Sequence, residues 1–278
     1  MRKPCRMLPQ VRIISLGEPP SELMQFMRTV SEDVAMQQGI DVRNVASESL
    51  VQSQFISLSS ANALERGRKW HHEMPSKGAV GLAIANRLAL MEDTSIPLLL
   101  LEEDCVIEHA EQFRNELNWL LSHIDEFDLA VFGGFLKNDV GKKTNSTRHP
   151  LMPANWAHLC GTFFCTHCVL YSPQGRRKVS EYLRNNPLEM QIDSLYSAMA
   201  KVGTISVWIQ HDKHSAVQRL HPSTIQDICL LCYTRPIGFL LNYRSFRTFV
   251  LYMIAGCTLA MMVRRRGIRN GSRRTPDA

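Results

Sequence analysis

Glu102, Glu103 and Asp104 stand in a row directly after the four leucines Leu98–Leu101. A continuous apolar run without polar alternation predicts a central strand covered on both faces. The three acids are therefore expected at that strand's carboxyl end. In an open α/β sheet, ligands bind in the crevice beyond the carboxyl ends of the strands. Adjacent carboxylates repel one another unless water, a cationic side chain or a metal ion offsets them. A hard divalent cation, Mn²⁺ or Mg²⁺ with Mn²⁺ favoured, takes such oxygen ligands and commonly bridges them to substrate phosphates. A solvated acidic turn accounts for the same residues without chemistry.

Two further groups carry ligand-type side chains. His211-Asp212-Lys213-His214 follows the apolar run Ile205–Ile209, so it falls at another strand end. His211 there could complete a metal shell, or the four residues could form a polar surface turn. Cys165-Thr-His-Cys168 and Cys229-Leu-Leu-Cys232 share a Cys-x-x-Cys spacing. Together they offer four thiolates for tetrahedral zinc, or small apolar groups for a core. Eight cysteines in 278 residues are too sparse for a disulfide scaffold.

The elements that must position these residues alternate between strand and helix. Val11–Leu16 reads as a short β-branched strand ended by Pro19-Pro20. Ser21 reads as the N-cap of a helix running to Gln38, with Leu23, Phe26, Met27, Val30 and Val34 at helical spacing and Gly39 as its stop. Asp41–Val45 is then expected to return as a second strand, and a strand–helix–strand opening favours a parallel sheet. Residues 46–75 are poorly patterned. The small-residue helix Ser76–Asp93 has glycines and alanines that allow close packing on a sheet. After the acidic strand come an amphipathic helix over Glu111–Ile124, a buried strand over Asp128–Gly134 and a polar stretch, Lys137–His149, that reads as a loop over a donor or an acceptor. Val169–Ser172, helices over Pro173–Arg184 and Asp193–Lys201, and Ile205–Ile209 complete an α/β body.

The stretch Gly78–Ile107 resembles glycosyltransferase family 25, the lipooligosaccharide and procollagen galactosyltransferase type. That family carries a glycine-containing helix, then an apolar strand ending in Leu-Glu-Asp-Asp. Gly81 and Leu101-Glu102-Glu103-Asp104 match, with one Asp-to-Glu change. Gly161-Thr162, then Val169 through Gly175, is similar to the family's Gly-Thr…Tyr-x-x-Ser-x-x-Gly-Ala strand-to-helix turn. Ile192-Asp193 is similar to its Pro-x-Asp element, and Gln218…Ser223-Thr224-Ile225 to its Gln…Ser-x-Ile ending. Two departures stand out. Ala85-Asn86 replaces a Ser-His pair, and Ser15-Leu16-Gly17-Glu18 replaces the usual end of the first strand.

The resemblance implies a Rossmann-like type A domain with a mostly parallel sheet flanked by helices. It implies an inverting transferase that moves a hexose, galactose or glucose, from a nucleotide sugar, UDP-linked by preference, to a glycan or glycoprotein hydroxyl. Glu102 and Asp104 would hold the metal, joined by His211. Glu103, Gly161 and Gln218 would border the donor. Asp193 would take the acceptor's proton, although an N-cap role before Ser194 explains it equally. A catalytically inactive, membrane-tethered relative that binds glycans or acts as a scaffold is the competing reading.

Charge bears on partners. The chain carries 32 Lys+Arg and 26 Asp+Glu, a formal +6. Residues 264–278 hold six arginines and one acid, and the first six residues add Arg2, Lys3 and Arg6, which leaves 23 basic and 25 acidic residues between. A body at −2 has no basic excess with which to displace counterions, so nucleic acid is not an expected partner. The uncharged run Phe249–Val263, between Arg247 and Arg264–Arg266, reads as membrane association through the C-terminus, at an endomembrane or a cytoplasmic face, or as a buried terminal helix that leaves the arginines outside. The chain thus divides into a basic segment (1–10), an α/β domain (11–232), a hydrophobic segment expected to be helical (233–263) and a basic tail (264–278).

Overall fold

The computed structural model describes residues 8–68, 72–136, 153–159 and 161–219. The polar stretch Lys137–His149, the second cysteine pair, Ser223–Ile225, and the hydrophobic segment with its basic tail lie outside them. Among the described residues, no helix is long and apolar enough to cross a membrane.

The chain opens with β1 (Gln10–Ser15), α1 (Ser21–Arg28) and β2 (Val34–Gln38), then α2 (Ser47–Gln52), α3 (Leu58–Arg66) and α4 (Lys77–Leu90). β3 (Leu98–Glu102) carries the first acid, and β4 (Cys105–Ile107) follows the acidic turn. Then come α5 (Ala110–Ser122), β5 (Leu129–Val131), β6 (Phe135–Leu136), β7 (Trp156–His158), β8 (Phe163–Phe164) and β9 (Cys168–Tyr171). α6 (Pro173–Asn185), α7 (Ile192–Lys201), β10 (Val207–Gln210) and β11 (Ala216–Gln218) complete the order.

Seven strands form the central sheet in the order β2-β1-β3-β9-β5-β10-β7. β1, β2, β3, β5 and β10 share one direction, while β9 and β7 run against them. The mostly parallel α/β sheet expected from the alternating elements is therefore present. Leu98 and Leu100 enter one apolar cluster with α4, α6 and α7, and Leu99 and Leu101 enter the other with α1 and α5. All four are at most 3% exposed, so both faces of β3 are covered. Burying each is worth about 2 kcal/mol.

The first helix is shorter than its hydrophobic spacing predicts. It ends at Arg28, and Val34–Gln38 is the strand paired with β1, in place of the expected Asp41–Val45. Ser31 enforces the break: its hydroxyl donates to the Pro9 carbonyl and accepts from the Asp33 N–H. Asp33 then pairs with Arg12 on β1. The half-buried pattern of β2 is that of an edge strand, whose inward residues also fit a helical period. Ser21 is the first helical residue rather than the cap. The poorly patterned residues 46–75 contain two short helices, α2 and α3.

α4 begins where expected, with the Ser76 hydroxyl accepting from the Ala79 N–H. A Cβ on Gly81 would stand 1.9 Å from the Ile40 carbonyl oxygen, so glycine is what lets this helix lie against the chain after β2. At its other end the buried Arg176 of α6 donates to the Ala89 and Leu90 carbonyls and to Gln10. These are helix-terminal carbonyls that would otherwise lack partners, and a cation suits that end of the dipole.

Candidate active site

The parallel strands all end on one edge of the sheet, and β9, running the other way, begins there. Ile14 pairs with Glu102, so the end of β1 and the acidic turn are neighbours. Leu101 pairs with Cys168, and the Glu102 N–H donates to the His167 carbonyl, so Cys165–His167 flank the acids on the other side.

Glu102 is half-buried and accepts from the Thr166 hydroxyl at 3.2 Å. Burial, then the negative charges of Asp104, Asp193 and Glu103, push its carboxyl up to about 8. Asp104, also half-buried, accepts from the Gln218 side-chain amide at 2.8 Å, and its own carbonyl accepts from the Arg219 N–H. Gln218 arrives through the ribbon in which β11 pairs with β4, where it stands opposite Cys105. The same amide's oxygen accepts from the Cys165 thiol at 3.7 Å. Burial and the charges of Asp193, Glu102 and Asp104 raise that thiol to about 12, which keeps it a donor.

Asp193 lies in the first turn of α7, whose N-cap is Gln191, so it is not the cap that sequence allowed it to be. Its carboxylate accepts from the Ser194 N–H at 2.6 Å and from the Cys165 N–H. Burial raises it to about 6, against the pull of those donors and of the Arg68 guanidinium. Glu102, Asp104 and Asp193 thus share one electrostatic site, with Cys165 at φ +74° bridging Asp193 to Gln218.

Glu103 turns to the end of β1. It is exposed, accepts a hydrogen bond from the Ser15 hydroxyl, and donates its N–H to the Ile14 carbonyl. Gly161 lies half-exposed ahead of β8, with open space where a Cβ would project. The structure does not join it to the acids. His211 is exposed at the start of the turn after β10, its N–H on the Asn155 carbonyl. β10 is three strand steps from β3 in the sheet, about 14 Å at the usual spacing. The sheet therefore sets His211 well apart from Glu102. The two thiols of the first cysteine pair also diverge: Cys165 meets Gln218, whereas Cys168 is buried against Cys105.

Arg68 and Thr166 escaped the sequence reading. Thr166 reaches Glu102 by a hydrogen bond and Arg68 acts on Asp193 by its charge, and neither residue type in its place signals that partner. Behind the site, buried Glu116 on α5 accepts from Gln112, Asn155, Gln210 and Ser215 at 2.6–2.9 Å. The Gln210 amide oxygen in turn accepts from the Gly133 and Ser215 N–H groups. Gly133 sits at φ +64°, with the Ala216 carbonyl 2.0 Å from where a Cβ would be. This packing leads the chain from β10 back across the sheet edge to Gln218.

Among the described residues, no group of three or more His, Cys, Asp or Glu side chains is gathered closely enough to hold a metal ion. Glu102 and Asp104, two residues apart and electrostatically coupled, are the carboxylates that could hold a cation.

No protein-family model and no curated protein matches the chain. Solved structures similar to it include a UTP-bound UGPase from Acinetobacter baumannii, at 11% identity and TM-score 0.42, covering 89% of this chain and 99% of the other. A197 from STIV is similar at 11% identity and TM-score 0.37, covering 80% and 99%. The inositol-1-phosphate CTP transferase from T. maritima is similar at 13% identity and TM-score 0.35, covering 74% and 90%. At identities this low and superpositions this loose, the chemistry has to come from the chain's own residues.

Proposed function

We propose that the chain is an inverting hexosyltransferase that moves galactose or glucose from a nucleotide sugar, UDP-linked by preference, to a glycan or glycoprotein hydroxyl. One observation carries this reading: Glu102, Asp104 and Asp193 share a half-buried site at the carboxyl edge of a mostly parallel sheet, where α/β folds bind ligands. The ordered motifs that resemble glycosyltransferase family 25 supply the sugar chemistry.

Glu102 and Asp104 would hold Mn²⁺ or Mg²⁺ jointly with the donor's diphosphate. A bound cation of this kind offsets negative charge developing on a departing nucleoside diphosphate. Thr166 and Gln218 fix the two carboxyl groups through their hydrogen bonds. Asp193, with its carboxyl near 6, is ionised at neutral pH yet basic enough to accept a proton. As the acceptor oxygen bonds to the anomeric carbon and the bond to phosphate breaks, the hydroxyl proton passes to Asp193. The Ser194 and Cys165 N–H groups hold that carboxylate in place. Membrane association through residues 233–263 would bring the site near membrane-borne acceptors. Deleting Phe246–Ala278 is expected to release a pelleting protein into solution, and continued pelleting of the folded truncation would count against it.

One observation favours a non-catalytic, glycan-binding or scaffolding relative. Ala85 and Asn86, where the family carries Ser-His, are buried on α4, and the Asn86 amide donates to Leu82 of its own helix. Thermal shift with UDP-galactose, UDP-glucose and GDP-sugars, each with and without Mn²⁺, tests donor binding. A cation-dependent rise that Asp104→Ala removes supports the transferase. A chain that no sugar nucleotide stabilises, but that a glycan does, supports the second reading.

A further inference from the structure

Cys105 and Cys168 flank the acidic turn from two directions. Cys105 opens β4 immediately after Asp104, and Cys168 opens β9 opposite Leu101, the last leucine before Glu102. Both are buried, at 4% and 0% exposure, in the apolar cluster beneath the turn. One thiol is hydrogen-bonded to the other, and neither is in a disulfide. The two sulfurs are thus already neighbours, although they come from separate segments of the chain.

We propose that Cys105 and Cys168 form a disulfide when the chain meets an oxidised low-molecular-weight thiol of the glutathione disulfide class. The bond staples β4, and with it Asp104, to the strand that carries Thr166 and Cys165 at its entrance. Once the surrounding chain opens and water reaches it, the Cys105 thiol gives up its proton and attacks the small disulfide, which gives a mixed disulfide and releases one small thiolate. The Cys168 thiolate then attacks the Cys105 sulfur and expels the second. The two cysteines lose two electrons, the small disulfide gains them, and the two cysteine protons pass to the released thiols. Access comes through the β4–β11 ribbon, which is three residues long on each side and, among the described residues, pairs with no strand of the central sheet. Such ribbons open locally at lower cost than a central sheet. The crosslink closes a loop of roughly 60 residues, which restricts the unfolded chain strongly. None of this depends on the transferase reading.

The test uses the reduced full-length chain, incubated in glutathione buffers of rising oxidised fraction, trapped with N-ethylmaleimide and digested for mass spectrometry. The expected result is a Cys105–Cys168 crosslinked peptide that also forms in Cys165→Ser. It should accompany a rise in Tm of about 5 °C or more that dithiothreitol reverses. A repeat with chain refolded from urea in the same buffers removes burial as a barrier. Recovery of both cysteines as alkylated thiols in both experiments would overturn the proposal. So would pairing of either cysteine with a different one.

Discussion

Glu102 makes the site's dependence on pH explicit. With its carboxyl near 8, Glu102 is protonated at neutral pH in the metal-free chain, so a cation must displace a proton to use it. The apparent affinity for Mn²⁺ should therefore rise up to tenfold per pH unit towards pH 8 and level off above it. Titration calorimetry at pH 6, 7 and 8 checks this. Glu102→Gln should flatten the pH dependence and weaken binding, and a flat profile in the unaltered chain would contradict the assignment. Asp193 titrates lower, near 6, as suits a base. Asp193→Asn should cut turnover by about 10²–10⁴-fold while donor affinity stays within a few-fold. An equal loss of donor affinity would instead mark Asp193 as a binding group. Glu102, Asp104, Asp193 and Gln218 were legible because each falls in a motif or at a strand end. Arg68 and Thr166 were not: Thr166 stands inside a Cys-x-x-Cys spacing that points to its cysteines, and nothing around Arg68 points to Asp193. His211 was legible as a strand-end histidine, but the order of the strands, which sequence does not reveal, sets it far from β3.

The acids reach one edge of the sheet through the strands and helix that carry them. The leucine run of β3 was readable because burial on both faces removes polar alternation. The length of α1 was not, because Val30 and Val34 fit a helical period as well as they fit an edge strand. Two substitutions probe the scaffold. Gly81→Val should destabilise the chain by about 3 kcal/mol or more, since its Cβ has no room against the Ile40 carbonyl. Urea unfolding measures this, and a loss below about 1 kcal/mol would mean that α4 shifts freely. Glu116→Ala removes the acceptor of four side chains, including Gln210 and Ser215. It should cost about 3 kcal/mol and loosen the return from β10 to Gln218, seen as faster hydrogen exchange over residues 211–219. Unchanged exchange there would show that β11 is held independently.

The molecule as a whole sets charge against function. The acids of the site lie in a body whose net charge is −2, and the basic excess belongs to the two ends. Glu102 and Asp193 are both raised above their usual range, so the folded chain holds more protons than the unfolded one between about pH 4 and 8. Their contribution to stability is full at low pH and is lost as pH rises through 6 and then 8, by up to about 1.4 kcal/mol per pH unit for each proton. His167, buried and lowered to about 4, acts oppositely and weakens the fold as pH falls below about 6.5. Stability should thus decline between pH 6.5 and 8, and Mn²⁺ should restore part of it. A melting temperature that climbs across this range in metal-free buffer would contradict the picture. Much of the α/β layout was readable from the alternation of elements. The reversal of β9 was not, because a buried antiparallel strand has the same apolar pattern as a parallel one.

The most direct measurement is calorimetric titration of UDP-galactose and UDP-glucose into the full-length chain, with Mn²⁺ and then with a chelator. Binding of one of them that requires the cation and falls at least tenfold in Asp104→Asn is the predicted result. No sugar-nucleotide binding with Mn²⁺ at pH 8, where Glu102 can ionise, would contradict it.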